Sequence, residues 1–251
     1  MEQQRIGIDV GGSGVKGGVV DVDRGSLVTD RLRYDTPSPA TPEAVVGVVG
    51  EVVGQLDAEG PIGVGFPAVV RDGVVLTANN IDRKWIGVDA RTLIQDETGR
   101  EIRISNDADA AALAEVEFGA AGGVPGSVLV ITFGTGIGSA LVVDGRVVPN
   151  LELGQLELAG IRPAEQKFSA KARHSEDLDW DEWGDRANEY LVYVDSIFNP
   201  QLIVLGGGVA KRFDLFEDRL DPSLTVVPAT LLNDAGIVGA ALLARGPSPR
   251  G

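Results

Sequence analysis

The chain has 251 residues, 43% of them hydrophobic, and a formal net charge of −15. This length and composition are typical of a soluble globular protein with one large domain or two compact lobes. The acidity argues against nonspecific binding of DNA or RNA, whose phosphate backbone would be repelled.

Targeting signals are not evident in the sequence. No segment approaches the ~18 continuous apolar residues of a membrane span. The first residues lack the basic and apolar regions of a secretory signal. There is no cysteine for a disulfide or a thiolate metal site. We therefore expect a cytoplasmic protein that does not bind membranes.

The first elements are strands around a glycine-rich loop. Residues 5–10 predict a buried strand and Val15–Val22 a second one, on either side of the loop in residues 7–16 (GIDVGGSGVK). Asp23–Gly25 predicts a hairpin turn, and Leu27–Tyr34 a third strand.

Helices alternate with strands in the next part of the chain. Thr41 predicts an N-cap and Pro42 the first residue of a helix that continues through Glu43–Leu56. Strands are expected at Ile62–Phe66 and Ile102–Ser105, and an alanine-rich helix at Asn106–Phe118.

The second half then repeats the pattern of the start. The predicted order is strand Ser127–Phe133, a glycine turn, strand Ser139–Val143, turn Asp144–Gly145 and strand Arg146–Pro149. This repetition predicts a duplicated fold with one phosphate loop in each lobe.

Three elements follow this repeat. We expect a helix at Trp180–Phe198, a strand at Gln201–Leu205 that ends in Gly206–Gly208, and a helix at Asn233–Arg245. The last helix is rich in small residues and could pack closely across a domain joint.

The two glycine loops predict phosphate binding. Glycine lets backbone N–H groups approach an anion closely. The first loop also fits G-x-G-x-x-G, the dinucleotide-binding pattern, but a strand rather than a helix is predicted after it. No P-loop motif of the form G-x-x-x-x-G-K-[ST] occurs.

The motifs together resemble the ROK family (repressors, open reading frames, kinases), and within it the actinobacterial polyphosphate glucokinases. The resemblance runs from Ile6 to about Ala244. It rests on residues 8–13 (IDVGGS), 77–87 (TANNIDRKWIG), 106–111 (NDADAA), 132–138 (TFGTGIG) and 205–208 (LGGG).

The resemblance implies an α/β protein with the actin-like ATPase (ribonuclease H-like) fold, in which two lobes surround a central cleft. The expected lobes are residues 1–106 with about 234–251, and residues 107–233. The C-terminal helix is expected to return to the first lobe.

The resemblance assigns the catalytic and metal sites. Asp107 would be the base that accepts the proton of a sugar hydroxyl, although an Asn-Asp pair before an alanine-rich run also predicts a helix N-cap. Asn106 would bind the sugar, and Asp109 is expected to be a cap or a surface residue. Asp9 would hold Mg²⁺ through water, and Lys16 is either a phosphate ligand or a solvated lysine.

The glycine loops supply the expected phosphate ligands, with Thr135 offering a hydroxyl and an N–H group to the transferred phosphoryl group. The phosphate-binding residues are Gly11, Gly12, Ser13, Lys16, Gly134, Thr135, Gly136 and Gly138. Gly206, Gly207 and Gly208 are expected to bind the nucleotide.

Residues 152–155 (ELGQ) match the sugar-binding Glu-x-Gly-His motif of the family, except that Gln155 replaces the histidine. Glu152 is expected to accept hydrogen bonds from two sugar hydroxyls. Glu165 and Asn80 are further expected sugar ligands. Ala68 is a second departure, because the family has glycine there. His174, the single histidine, is expected to be a solvated surface residue.

The predicted activity is synthesis of glucose 6-phosphate from glucose, with polyphosphate, ATP or both as phosphoryl donor. Two alternatives stay open: a diverged kinase for mannose or a related hexose, and a weakly catalytic sugar-binding protein. A sugar-responsive DNA-binding regulator is disfavoured, because no helix-turn-helix precedes the first strand. Lys16, Arg83, Lys84, Lys167 and Lys171 are candidate contacts for polyphosphate. A homodimer is expected from the family.

Overall fold

The computed structural model describes residues 3–245. The chain divides into two compact units. The first comprises the described parts of Met1–Ala114 and Asp234–Gly251, and the second is Glu115–Asn233. Within the described residues, no helix is long and apolar enough to cross a membrane.

The first unit contains a six-stranded mixed sheet in the order β3-β2-β1-β5-β8, with β4 also paired to β2. A separate β6–β7 hairpin completes its strands. The elements are β1 (Gln4–Val10), β2 (Val15–Asp21), β3 (Ser26–Leu27), β4 (Leu32–Tyr34), α1 (Pro42–Gly54), β5 (Ile62–Phe66), β6 (Val70–Arg71), β7 (Val74–Val75), α2 (Ala90–Thr98), β8 (Ile102–Asn106) and α3 (Asp107–Phe118), which extends past the unit boundary.

Local signals explain the first helix. Thr41 accepts a hydrogen bond from the Ala44 N–H at 3.4 Å, and Pro42 is the first helical residue. Val45, Val49 and Val52 recur on one face of α1 and are fully buried. The predicted cap and helix are therefore confirmed.

The prediction of one strand at Leu27–Tyr34 is wrong, because two short strands occupy this segment. Leu27 pairs with Val20, and Leu32 pairs with Gly17. Leu32 lies five positions after Leu27, but their partners in β2, Gly17 and Val20, are only three positions apart. One continuous strand would need equal spacings, so two residues of the segment cannot pair with β2. The extra residues form a bend, in which Thr29 Oγ1 accepts from the Val19 N–H at 3.0 Å.

The second unit contains a five-stranded sheet in the order β11-β10-β9-β12-β13. Its core is aromatic, with Phe133 packed edge-on against Trp183 and Tyr190. The elements are β9 (Ser127–Phe133), β10 (Ile137–Val143), β11 (Arg146–Val148), α4 (Glu165–Phe168), α5 (Ala170–Ser175), α6 (Trp180–Phe198), β12 (Leu202–Gly207) and β13 (Val226–Pro228).

The two sheets share a topology, as the repeated sequence pattern predicts. In each, an antiparallel hairpin (β1–β2 or β9–β10) is joined to a parallel strand (β5 or β12). The strands at Ile62–Phe66 and Ser127–Phe133 and the helix at Trp180–Phe198 have the predicted bounds. The sequence did not predict α2, the β6–β7 hairpin, α4, α5 or β13.

The last helix, α7 (Ala235–Leu243), packs on the sheet of the first unit. A Cβ atom at Gly7 would lie 2.0 Å from the Ile237 carbonyl oxygen, and one at Gly63 would lie 1.6 Å from that of Ala240. The predicted close packing is therefore confirmed for strands of the helix's own unit.

Candidate active site

The carboxyl ends of three parallel strands bring the first group of predicted residues to one edge of the sheet. Asp9, Gly65 and Ser105 lie in one row across β1, β5 and β8. Asn106 and Asp107 follow Ser105 directly. With strands spaced ~4.8 Å apart, the backbone of Asp9 lies about 10 Å from that of β8.

Asn106 is the residue that caps α3. Its Oδ1 accepts hydrogen bonds from the N–H groups of Ala108 at 2.8 Å and Asp109 at 3.1 Å, and its Nδ2 donates to the Ala68 carbonyl at 3.1 Å. The capping alternative that the sequence left open for Asp107 therefore applies to Asn106. Its sugar-binding role stays a prediction.

Asp107 is the first residue of α3 and is half-buried. Its Oδ1 accepts from the Ala108 N–H at 2.8 Å. A carboxylate at a helix N-terminus interacts favourably with the helix dipole. The catalytic role of Asp107 stays a prediction. Asp109 is only 3% exposed, so the expectation of a surface residue is wrong. The capping alternative for Asp109 stays a prediction.

The first glycine loop is a tight turn closed by its own backbone. The Gly11 N–H donates to the Gly14 carbonyl at 3.0 Å. Thr36 Oγ1 donates to the Gly11 carbonyl at 2.6 Å, and Arg33 Nη2 to the Ser13 carbonyl at 3.2 Å. Within residues 3–245, the amides of Gly12 and Ser13 have no hydrogen-bond partner, so both can bind an anion.

Asp9 and Lys16 form an ion pair beside this loop. They face each other across β1 and β2, with Lys16 Nζ 2.8 Å from Asp9 Oδ2. The start of α7 lies against the carboxylate, since a Cβ atom at Gly236 would be 2.8 Å from Asp9 Cγ. Lys16 is thus neither free nor fully solvated.

A hydrated Mg²⁺ fits Asp9. Mg²⁺ takes one or two carboxylates together with phosphate oxygens and water, and the partly exposed Asp9 carboxylate already has a cationic partner at 2.8 Å. Among the described residues, no group of three or more histidine or acidic side chains could hold a metal ion by itself. A site at Asp9 would therefore need ligands from the donor.

The second glycine loop is also closed by its own backbone, but its closing hydrogen bond spans one residue fewer than that of the first. The Gly134 N–H donates to the Gly136 carbonyl at 2.9 Å, and the Gly134 carbonyl accepts from the Lys171 N–H at 3.0 Å. Thr135 is exposed. In the described part of the chain, the amides of Thr135 and Gly136 have no partner. Gly138 lies outside the turn, in β10, opposite Thr132.

The Gly206–Gly208 run divides into two parts. Gly206 and Gly207 end β12, and Gly207 has a φ of 79°. A Cβ atom there would lie 2.3 Å from the Phe133 carbonyl oxygen, so the sheet itself requires this glycine. A Cβ atom at Gly208 would meet nothing within 4 Å. Nucleotide binding by the three residues stays a prediction, and Gly208 has the most room for it.

A buried serine fixes the backbone around Glu152. Ser139 Oγ donates to the Leu151 carbonyl at 2.8 Å and accepts from the Leu153 N–H at 2.9 Å. Glu152 lies between these two bonds and is half-buried. Ser139 was not among the predicted site residues, because its only signal is a polar residue at a buried position of β10.

Gln155 and Glu165 are joined, which sequence alone did not predict. Gln155 Nε2 donates to Glu165 Oε1 at 3.0 Å, and Glu165 Oε2 accepts from the Ile137 N–H at 3.1 Å. Glu165 therefore connects the ELGQ motif to the end of the second glycine loop. Burial, with the charge of Glu165 as a smaller cause, raises the pKa of Tyr190 far above its ordinary value.

The remaining predicted residues lie as follows. Asn80 is half-buried in a bend after β7. Ala68 avoids positive φ, and its N–H donates to the Phe66 carbonyl at 2.8 Å. Replacement of the family's glycine by Ala68 therefore causes no backbone strain. His174 is exposed, as predicted.

The two mixed sheets, each with a glycine turn after its first strand, define the class of protein. Structures of similar fold are those of ROK sugar kinases, so the predicted α/β, actin-like ATPase class is confirmed. A match to the ROK family covers residues 5–151, and the chain belongs to this family.

Relatives match nearly the whole chain. A polyphosphate glucokinase of Mycobacterium tuberculosis is 45% identical over 242 residues, which cover 96% of this chain and 91% of that protein. The crystal structure of the inorganic polyphosphate/ATP-glucomannokinase from Arthrobacter sp. strain KM is 47% identical, with a TM-score of 0.93, over 96% of this chain and 97% of that one.

A more distant structure is also similar. The ROK family glucokinase from Streptomyces griseus, in complex with glucose and AMPPNP, is 26% identical with a TM-score of 0.83, and the match covers 96% of this chain and 99% of that one. The predicted resemblance to the polyphosphate glucokinases is thus confirmed.

Proposed function

We propose that the chain is a glucokinase, a hexokinase-type phosphotransferase that makes glucose 6-phosphate from glucose with polyphosphate, ATP or both as donor. The observation that carries the proposal is the position of Asp107, on the same sheet edge as Asp9 and the open amides of the first glycine loop. The similarity to polyphosphate glucokinases and a polyphosphate/ATP-glucomannokinase supports it.

In the proposed reaction, the glucose O6 attacks the terminal phosphorus of the donor. The bond from phosphorus to the bridging oxygen breaks, and the hydroxyl proton passes to Asp107. The donor leaves as ADP or as a polyphosphate shorter by one unit. The amides of the two loops stabilise the charge on the phosphoryl oxygens.

Asp9 would hold Mg²⁺, our proposed cofactor. When bound, the metal would neutralise negative charge on the donor phosphates. Lys16 Nζ contacts Asp9 Oδ2 at 2.8 Å, so the metal would bind through the other carboxylate oxygen or would compete with Lys16. In either case Lys16 would lie beside the metal-bound phosphate.

Glu152, Gln155 and Glu165 are the proposed sugar ligands of the second unit, and Asn80 and Asn106 those of the first. A glutamine in place of histidine still donates a hydrogen bond through Nε2, which the structure directs to Glu165. It carries no charge, so the Gln155–Glu165 contact should hold across the pH range in which a histidine would titrate.

Replacement of the base gives the test. Asp107→Asn keeps the shape of the side chain but cannot accept the proton, so we expect turnover to fall by at least ~10²-fold. Production of glucose 6-phosphate measures turnover, and calorimetric titration with glucose measures binding, which should persist. Near-normal turnover in the variant would refute the mechanism.

A second candidate activity is phosphorylation of mannose. The 47% identity to a glucomannokinase and the replacement of histidine by Gln155 favour it. A panel of hexoses at equal concentration separates the candidates. A kcat/KM for mannose or another hexose above that for glucose would make the chain a kinase of that sugar.

We also propose a homodimer in the cytoplasm. The family resemblance supports the dimer, and the lack of cysteine for disulfides is compatible with the location. Light scattering during size-exclusion chromatography measures the mass directly, and a monomer at micromolar concentration would refute the dimer.

A further inference from the structure

The donor poses an electrostatic problem for this chain. Polyphosphate is a long polyanion, and the protein has a net charge of −15. Binding therefore needs cationic groups placed close to the phosphate loops. The sequence offers Lys16, Arg83, Lys84, Lys167 and Lys171 as candidates, and the structure separates them.

Two of these five candidate side chains already form ion pairs with carboxylates. Lys16 is paired with Asp9 at 2.8 Å. Lys167 is paired with Glu189 at 3.0 Å, and its Nζ lies 4.7 Å from the centre of the Phe168 ring. Within residues 3–245, Arg83, Lys84 and Lys171 form no ion pair, and all three are exposed.

Lys171 differs from the other two because it is attached to a phosphate loop. Its N–H donates to the Gly134 carbonyl at 3.0 Å. Arg83 and Lys84 lie in a short 3-10 helix of the first unit and, among the described contacts, make no such bond with a glycine loop. Of these three residues, Lys171 is the one whose backbone is bonded to a glycine loop that has amides without a partner among the described residues.

Neighbouring contacts fix the backbone at Lys171. Ser169 is 2% exposed, and its Oγ accepts from the Ala172 N–H at 3.2 Å. The Ser169 carbonyl accepts from Nε1 of the buried Trp183 at 3.3 Å. These bonds hold the backbone of Lys171 next to Gly134, and Thr135 and Gly136 follow Gly134 directly in the chain.

We propose that Lys171 binds a donor phosphate at the second glycine loop and contributes more to the binding of polyphosphate than of ATP. This inference rests on the proposed function. ATP has a base and a ribose to contribute binding energy, whereas polyphosphate has only phosphates, so the loss of one cation weakens polyphosphate binding more.

Lys171→Ala tests the proposal, with Lys167→Ala as the matched control. Both variants lose one positive charge from the same short segment, and the Lys171→Ala variant keeps the backbone N–H that donates to the Gly134 carbonyl. We expect the Kd for sodium polyphosphate of defined length, titrated without glucose, to rise about tenfold or more in Lys171→Ala. Lys167→Ala should change it less than about twofold. Lys171→Arg should restore most of the affinity.

The salt dependence and the donor provide independent readouts. In Lys171→Ala the slope of log Kd against log salt concentration should decrease by about one, the change expected for the loss of one phosphate contact. The KM for polyphosphate should rise more than the KM for ATP, and the KM for glucose should not change. Equal effects of the Lys171→Ala and Lys167→Ala substitutions on polyphosphate affinity would overturn the proposal.

The binding measurement separates this inference from the proposed function. If the wild-type chain binds polyphosphate through Lys171 but transfers no phosphate to glucose, the inference stands and the glucokinase proposal fails. If the wild-type chain phosphorylates glucose from ATP but does not bind polyphosphate, the glucokinase activity stands and the Lys171 inference fails.

Discussion

The two units carry the same strand–glycine turn–strand pattern but surround it with different chemistry. Beside the first loop lie an Asp9–Lys16 ion pair and the start of α7. Beside the second loop lie the Gln155–Glu165 contact and Lys171. Under the proposed function, the first loop would hold a metal-bound phosphate, and the second would lie beside the sugar and a phosphate without metal. Both units thus offer open backbone amides, while the side chains around those amides differ.

The units also differ in how their sheets are covered, and substitution of Gly63 tests this most severely. In the first unit α7 approaches the sheet backbone so closely that Gly63→Ala places Cβ 1.6 Å from a carbonyl oxygen. We expect a loss of more than about 4 kcal/mol in the free energy of unfolding, measured by urea denaturation. Gly134→Ala is the control, because a Cβ atom there would meet nothing within 4 Å. Similar stabilities for the two variants would contradict the described packing.

Asp9→Asn tests the metal-binding character of the first loop. Loss of the charge should weaken Mg²⁺ binding and lower kcat/KM by ~10²-fold or more, because the metal supplies several kcal/mol of charge stabilisation. The Mg²⁺ dependence of the rate and Mn²⁺ binding followed by paramagnetic resonance measure these effects. Unchanged Mn²⁺ affinity in the variant would remove Asp9 from the site.

Glu165→Gln tests the link between sugar and phosphate loop in the second unit. The single amide oxygen can still accept from the Ile137 N–H, but the NH2 group then faces Gln155 Nε2, so the bond that Gln155 donates is lost. We expect the KM for glucose to rise about tenfold, a change of ~1.4 kcal/mol. Glu189→Gln is a control outside the motif. Equal KM values for both variants would exclude a role for Glu165 in sugar binding.

Tyr190→Phe has the smallest expected effect. The buried Tyr190 hydroxyl has no hydrogen-bond partner among the described residues, so its removal should leave the free energy of unfolding unchanged or raise it by up to about 1 kcal/mol. Tyr34→Phe serves for comparison, because the Tyr34 hydroxyl accepts a bond from Gln55. A clear loss of stability in Tyr190→Phe would indicate a buried partner for the hydroxyl.

Much of the fold could be predicted because strong local signals agree with the tertiary structure. The cap at Thr41, the apolar runs at Ile62–Phe66 and Ser127–Phe133 and the glycine turns all have local physical causes. The bend between Leu27 and Leu32 depends on register against β2, which no local pattern encodes.

The sequence predicted which residues belong to the candidate site but not which residues they contact. Motifs indicated Asp9, Asp107 and Glu165, but other contacts around the site join segments that are distant in the sequence. Asn106 reaches the Ala68 carbonyl, and Lys171 reaches Gly134. The hydrogen bonds of Ser139 and of the Lys171 N–H could not be predicted, because they form only when strands and helices pack together.

The most direct measurement is the formation of glucose 6-phosphate by the purified wild-type chain. Glucose, Mg²⁺ and either polyphosphate or ATP would be supplied, and the product followed with glucose-6-phosphate dehydrogenase. We expect formation of glucose 6-phosphate that requires glucose and at least one of the two donors. No product with either donor, in a folded protein, would contradict it.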